Sequence, residues 1–194
     1  MSSEKPRVPV IQKKFARALF LDRDGVVNEE IGYLSRSDQV RFLPGIFDLC
    51  RKAQSLGYIL IIVTNQAGIA RGYYSETEFH VLMQWMTGEF AREGIRLDRY
   101  YFCPHHPEHG VGAYRLDCQD RKPNPGMFLN AATEFHLDLA RSIFLGDRCT
   151  DMVAGRAAGV GTLVLVEGQE VKPCDEPEKF RRVKNLLMAS ESLT

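Results

Sequence analysis

Long apolar runs are missing from this chain. No stretch approaches the roughly 20 residues that a membrane helix needs, and the opening MSSEKPRVPVIQKKF lacks the apolar segment of a signal peptide. A cytoplasmic protein with no membrane partner is therefore expected. Surplus charge is missing as well: lysine plus arginine and aspartate plus glutamate each number 25. There is no basic field to hold a nucleic acid backbone, and no acidic excess of the kind that solvates a disordered tail. Cysteine is scarce and odd in number, five among 194 residues, which does not suit a disulfide framework; thiols kept reduced are expected. No internal repeat or low-complexity tract interrupts the chain.

What is present is 44% hydrophobic and 26% charged residues, over a length that buries a core without staples, as one domain over residues 1–194. Short apolar runs alternate with longer segments of helical period, the pattern of parallel strands joined by crossover helices. Strands are expected at 18–21, 58–63, 99–102, 142–145 and 162–166. Helices are expected between Pro44 and Gly57, and from Ser75 to about Glu93, where Ser75 and Glu78 have capping-box spacing. Two more are expected, from Pro125 through Phe135 and from a cap at Thr150 to near Gly159. Met83, Trp85 and Met86 fit the buried stripe of the second helix. The sum is a doubly wound α/β sheet with its core over about residues 16–168. A terminal helix is expected around EKFRRVKNLL in the tail 172–194. Residues 103–124, CPHHPEHGVGAYRLDCQDRKPN, form an irregular Cys/His loop too long for an ordinary connection.

Open α/β sheets place ligands beyond the carboxyl ends of their strands. There the first strand runs into Asp22-Arg23-Asp24-Gly25. Residues two apart on extended backbone point the same way, so both carboxylates reach one substrate, and Gly25 permits a tight turn. Such a pair is also common in surface turns. The other strand ends add weight: Thr64 and Asn65 follow the second strand, Gly146-Asp147 the fourth with Asp151 one helical turn on, and Lys122 precedes the third crossover helix.

In order and spacing these clusters resemble the four motifs of haloacid dehalogenase (HAD) superfamily phosphatases, over roughly residues 18–166. Within that superfamily DRDGVVN, the GY of EEIGYL, TNQAGIARG, CPHHP, RKPNPGM and GDRCTDM are similar to the heptose 1,7-bisphosphate phosphatases of the histidinol-phosphatase-like group. The resemblance implies a HAD-like Rossmannoid fold and a magnesium-dependent phosphatase that works through an aspartyl-phosphate. The implied substrate is a small sugar phosphate, D-glycero-D-manno-heptose 1,7-bisphosphate, cleaved at C7 towards activated heptose for surface polysaccharide. It makes Asp22 the nucleophile and Asp24 the general acid and base, sets Thr64 and Lys122 on the phosphoryl oxygens, and gives Mg2+ to Asp22, the backbone carbonyl of Asp24, and Asp147. Asp151 is either a metal-shell residue or one that orients its neighbours. The implied substrate contacts are Arg23, Glu30, Ile31, Gly32, Tyr33, Asn65, Gln66, Ala67, Arg121 and Arg148. Without the resemblance, Arg121 and Arg148 read as solvated cations. Histidinol phosphate or another small ester is the alternative substrate, and a non-catalytic metal-stabilised binding module the alternative class; a monomer is the default.

Cys103-Pro-His105 followed by Cys118 has the ligand types and spacing of a small structural zinc site. The family pattern ends this loop with Cys-x-Cys before Arg-Lys-Pro, whereas here Asp120 stands at the fourth ligand position. Two readings stay open: Zn2+ completed by the harder Asp120 oxygen, or plain thiols with His105 as a polar loop residue. His106 and His109 are further donors outside the family positions. Cys50, Cys149 and Cys174 have no partner at metal spacing.

Overall fold

The computed structural model describes residues 15–167 and 179–194. Its centre is one parallel sheet of six strands in the order β3-β2-β1-β4-β5-β6. The strands are β1 (Arg17–Leu21), β2 (Tyr58–Asn65), β3 (Arg99–Cys103), β4 (Ile143–Gly146), β5 (Thr162–Val166) and β6 (Arg181–Val183). Strands buried on both faces read as continuous apolar runs, and the two-residue side-chain period divides each run between two cores. Leu19 and Leu21 of β1, with Ile143 and Leu145 of β4, face Ile46, Leu49, Phe79 and Met83. Ala18, Phe20 and Phe144 face Met127, Phe128, Met152 and Ala154 on the other side.

Those two layers come from α1 (Ile46–Ser55) and α3 (Glu76–Arg92) on one face, and α4 (Gly126–Phe135) and α5 (Cys149–Ala158) on the other. The Ser75 side chain accepts from Glu78 N while the Glu78 carboxylate accepts from Ser75 N, so the expected capping box forms. A one-turn helix, α2 (Ala67–Ala70), follows β2; four residues are too few to show a period. The strand order reverses between β1 and β4, and the crevice of such a sheet opens there, beyond the carboxyl ends.

Three expectations need correction. The segment around EKFRRVKNLL is not one helix: Arg181–Val183 pairs with β5 as the edge strand β6, and α6 (Leu186–Ala189) starts only after Asn185, whose side chain accepts from Met188 N. A free strand edge at β5 offers a ladder of backbone partners, and this outweighs helix propensity in a short segment. Helix α5 begins after Arg148 rather than at a Thr150 cap, because the Asp151 carboxylate accepts from Arg148 N and satisfies the first turn. Cys149 is disulfide-bonded, whereas Cys50, Cys103 and Cys118 are free. The expectation for Cys174 lies outside the described residues.

The ring of Phe128 is wedged between Phe20 and Phe144, with centroids 5.0 and 4.8 Å away and no exposed surface. Phe128→Ala is expected to cost about 3–5 kcal/mol of stability, through lost burial and an unfilled cavity. Urea denaturation measures it; a loss under about 1 kcal/mol would mean that the sheet and α4 collapse to fill the gap.

Candidate active site

Three carboxylates, Asp22 beyond β1 and Asp147 and Asp151 beyond β4, bring ligand oxygens within 4.8 Å of one another. Lys122 answers two of them, while Arg148 Nε stands 3.8 Å from Asp147 Oδ2. Lys122 Nζ lies 2.8 Å from Asp22 Oδ1 and 2.7 Å from Asp151 Oδ1, and donates to Val63 O at 3.0 Å. Burial works against its charge, yet Asp151 and Asp22 outweigh it and hold the ammonium above its ordinary pKa. Its loop is clasped to the end of β2: Asn65 Nδ2 donates to Lys122 O and Lys122 N donates to Asn65 Oδ1, both at 3.0 Å.

Asp151 has both oxygens engaged, Oδ1 by Lys122 and Oδ2 by the amides of Asp147 (3.2 Å) and Arg148 (3.0 Å). Asp147 Oδ1, by contrast, is buried without a hydrogen-bond partner among the described residues. Gly25, at φ +86°, lets the chain pass so close that a Cβ there would sit 2.3 Å from Asp147 Oδ2. Burial pushes Asp147 up to about 7, Asp151 adding to the rise and Arg148 and Lys122 opposing it. Burial likewise raises Asp22 well above the usual carboxylate range, against Lys122 and with Asp151 and Asp147. An orphaned oxygen among crowded hard donors, with one ammonium for three carboxylates, fits a divalent cation such as magnesium.

Asp24 has other surroundings. Its Oδ1 accepts from Arg23 Nε (3.1 Å) and Asn28 Nδ2 (3.0 Å), and its Oδ2 from Arg23 Nη2 (2.9 Å) and Gln66 Nε2 (3.2 Å). The Asp24 side chain remains 15% exposed while that of Arg23 is 1% exposed, so the carboxylate reaches the cleft and the guanidinium does not. Gln66 Nε2 also donates to Thr64 Oγ1 at 2.7 Å.

This divides the expected substrate contacts. The side chains of Arg23, Asn65 and Gln66 are committed inside the protein, to Asp24, to the Lys122 backbone, and to Asp24 with Thr64, and Ala67 is half-buried at the start of α2. Glu30, Ile31, Gly32, Tyr33 and Arg148 are exposed on the rim. There Arg148 Nη2 pairs with Glu30 Oε2 at 2.5 Å, and Tyr33 packs edge-on against Tyr73. Arg121 is half-buried and donates to His105 O at 3.0 Å. Asn28 and Tyr74 join the site unexpectedly. Asn28 stands four residues after Asp24 in DRDGVVN; Tyr74, one of two adjacent tyrosines, offers no local signal.

In the loop, Cys103, His105 and Cys118 gather ligand atoms within 4.8 Å, with Cys103 Sγ 3.9 Å from His105 Nδ1. Asp120 does not join them: its Oδ1 accepts from Asn130 Nδ2 at 3.0 Å. A Cβ on Gly126 would meet that same oxygen at 2.4 Å, so the carboxylate is packed against the start of α4.

A family model for HAD-hydrolase-like proteins matches residues 119–185. A D-glycero-alpha-D-manno-heptose-1,7-bisphosphate 7-phosphatase of Burkholderia mallei is 55% identical over 150 residues, 77% of this chain and 79% of that protein. The chain belongs to the HAD-like hydrolases. Among other members of the family, a D-glycero-beta-D-manno-heptose-1,7-bisphosphate 7-phosphatase of Vibrio cholerae is 50% identical over 149 residues, 77% of this chain and 80% of the relative. The crystal structure of D,D-heptose 1,7-bisphosphate phosphatase from B. bronchiseptica complexed with magnesium and phosphate is 29% identical and superposes at a TM-score of 0.76, over 91% of this chain and 97% of the other.

For this HAD hydrolase the acid cluster ties metal binding to pH. A carboxyl raised to about 7 in the folded protein contributes stability at low pH that is lost as pH climbs through that value, so metal-free protein should weaken between about pH 4 and 7. A cation on the ionised carboxylates offsets that loss. The rise in melting temperature on adding magnesium should thus be larger at pH 8 than at pH 5.5, and Asp147→Asn should flatten the difference; equal shifts at both pH values would show that the cluster is already ionised without metal.

Proposed function

We propose that this hydrolase removes the C7 phosphate of D-glycero-D-manno-heptose 1,7-bisphosphate by way of an aspartyl-phosphate on Asp22. The observation that carries the reading is the convergence of Asp22, Asp147 and Asp151 oxygens within 4.8 Å of one another, with Lys122 Nζ 2.8 Å from Asp22 and 2.7 Å from Asp151, beside an Asp24 held apart from them. Identities of 55% and 50% to enzymes named for that substrate support the choice of ester.

The carboxylates of Asp22 and Asp147, with the backbone carbonyl of Asp24, would hold magnesium. When bound, it screens the repulsion between carboxylate and phosphate that otherwise bars attack. Asp22 bonds to phosphorus as the ester oxygen leaves, and Asp24 gives that oxygen its proton. Water then attacks the phosphorus of the acyl-phosphate, Asp24 takes its proton, and Asp22 departs as a carboxylate. Because Arg23, Asn28 and Gln66 all donate to Asp24, a proton on Asp24 meets only donors on the protein side, and its acceptor is the substrate. Thr64 and Lys122 bind the phosphoryl oxygens. Asp151, with both oxygens occupied, orients Lys122 and the Asp147 turn.

The rim residues Glu30, Ile31, Gly32, Tyr33, Arg121 and Arg148 would take the rest of the sugar, and the two guanidinium forks suit the second phosphate. A monomer and a cytoplasmic site of action, the latter suited to a metabolite-sized substrate, complete the reading.

The decisive measurement is a side-by-side turnover panel of both anomers of the bisphosphate, histidinol phosphate and simple esters. Fastest release from C7 of a bisphosphate, abolished by chelation and restored by magnesium, is expected. Faster turnover of histidinol phosphate would reassign the substrate, and no turnover at all would leave a binding module. Within the mechanism, Asp22→Asn should show no turnover and weakened magnesium binding. Asp24→Asn should lose about 10²–10⁴ in rate with magnesium affinity kept. Equal loss of affinity in a magnesium titration of both would contradict this division of roles.

We also propose structural zinc at Cys103, His105 and Cys118. Without a cation, burial pushes the Cys103 thiol up to about 12, the His105 backbone opposing and Cys118 adding to the rise, so Cys103 needs a metal to exist as a thiolate. Arg121, bonded to His105 O and next to Lys122, links this loop to the phosphate site. Protein purified without chelator should carry about one zinc per chain by elemental analysis; well under one zinc per chain would sink the idea.

A further inference from the structure

Asp24 is held by a line of side chains that runs from the cleft into the core and ends on a phenol. We propose that Tyr74 is a positioning residue for Asp24, acting through the amide of Gln66; the inference rests on the acid and base role assigned to Asp24. Gln66 is 2% exposed, and its polar atoms are used. Nε2 donates to Asp24 Oδ2 at 3.2 Å and to Thr64 Oγ1 at 2.7 Å, while Oε1 accepts from the Tyr74 hydroxyl at 2.6 Å. An amide has nearly the same shape either way round, so its partners decide which end faces which. Burial pushes the Tyr74 phenol up to about 12, with Arg23 opposing, and the group stays a neutral donor. Its proton requires Oε1 on the inner side, which turns both hydrogens of Nε2 towards the cleft.

The reverse orientation would set Oε1 against the Asp24 carboxylate and leave the phenol proton without this acceptor. The observed one also has a use for Thr64, since a hydroxyl that accepts from Gln66 keeps its own hydrogen for a phosphoryl oxygen. A second observation fixes the phenol itself. A Cβ on Gly68 would lie 2.3 Å from Tyr74 Cε1 and 2.8 Å from its hydroxyl oxygen, so the ring is pressed onto bare backbone of α2 and has no room to swing. Removing the hydroxyl leaves Oε1 buried without a donor, and nothing then opposes rotation of the amide.

Tyr74→Phe tests this, read on two substrates. An alkoxide needs the proton of Asp24 to leave, whereas p-nitrophenolate does not. With the heptose bisphosphate, kcat/KM should fall about tenfold or more at nearly constant KM, while with p-nitrophenyl phosphate the fall stays under about threefold. Gln66→Met should lose at least as much on the bisphosphate, and adding Tyr74→Phe to it should cost nothing more. Equal losses on both substrates, multiplying losses in the double variant, or a lowered melting temperature with unchanged kinetics would overturn the proposal. Should Tyr74→Phe not fold, Gly68→Ala, which displaces the ring but keeps the hydroxyl, is read in the same two assays with the same expected pattern. Asp24→Asn run alongside separates the failures: full activity there would sink the role of Asp24, whereas its loss beside a fully active Tyr74→Phe would sink only the role of Tyr74.

Discussion

The ammonium of Lys122 is the interaction on which the site depends. Carboxylates at the ends of adjacent parallel strands repel one another, and burial makes each costlier still; one buried cation between Asp22 and Asp151 is what lets the strands end so close together. Lys122 does this from a loop and not from the sheet, so its backbone must be fixed separately, which Asn65 does. Removing one partner of a buried ion pair strands the other, so Lys122 bears on folding as well as on phosphate binding. Three carboxylates against Lys122 and the more distant, exposed Arg148 still leave a deficit of positive charge, concentrated at the unpartnered oxygen of Asp147.

Two aspartates separated by a single residue are thereby given opposite chemistry. Asp22 sits on the lysine side, where burial and neighbouring carboxylates favour a cation. Asp24 stands outside that cluster, in a collar of Arg23, Asn28 and Gln66 donors. Division of labour between paired carboxylates needs this kind of environmental split, and here the turn at Gly25 produces it.

Much of this was legible in the sequence. Alternating apolar runs marked the sheet because both faces are buried, and the polar residues Asp22, Thr64 and Asp147 at strand ends marked the rim because the crevice of such a sheet opens there. The Ser75–Glu78 box was readable because its partners are local in sequence. The misses share a cause. Whether Arg23, Asn65, Gln66 or Asp120 faces a ligand or the protein depends on partners that, for Asn65, Gln66 and Asp120, lie 8 to 57 residues away. A short motif records which residue is near the site and not which of its hydrogen bonds are already spent. The Arg181–Val183 strand was missed for the same reason, since its only argument for being a strand is the open edge of β5.

The pair of hydrogen bonds between Asn65 and Lys122 ties the far end of the Cys/His loop to the end of β2, 57 residues away in the chain. That clasp anchors the lysine independently of the loop that leads up to it, so the length of the loop and its contacts with the sugar can be rewritten while the lysine stays on station. Recognition and phosphate binding thus share one connection between strand and helix, the sugar contacts carried on its loop and the lysine moored to the neighbouring strand.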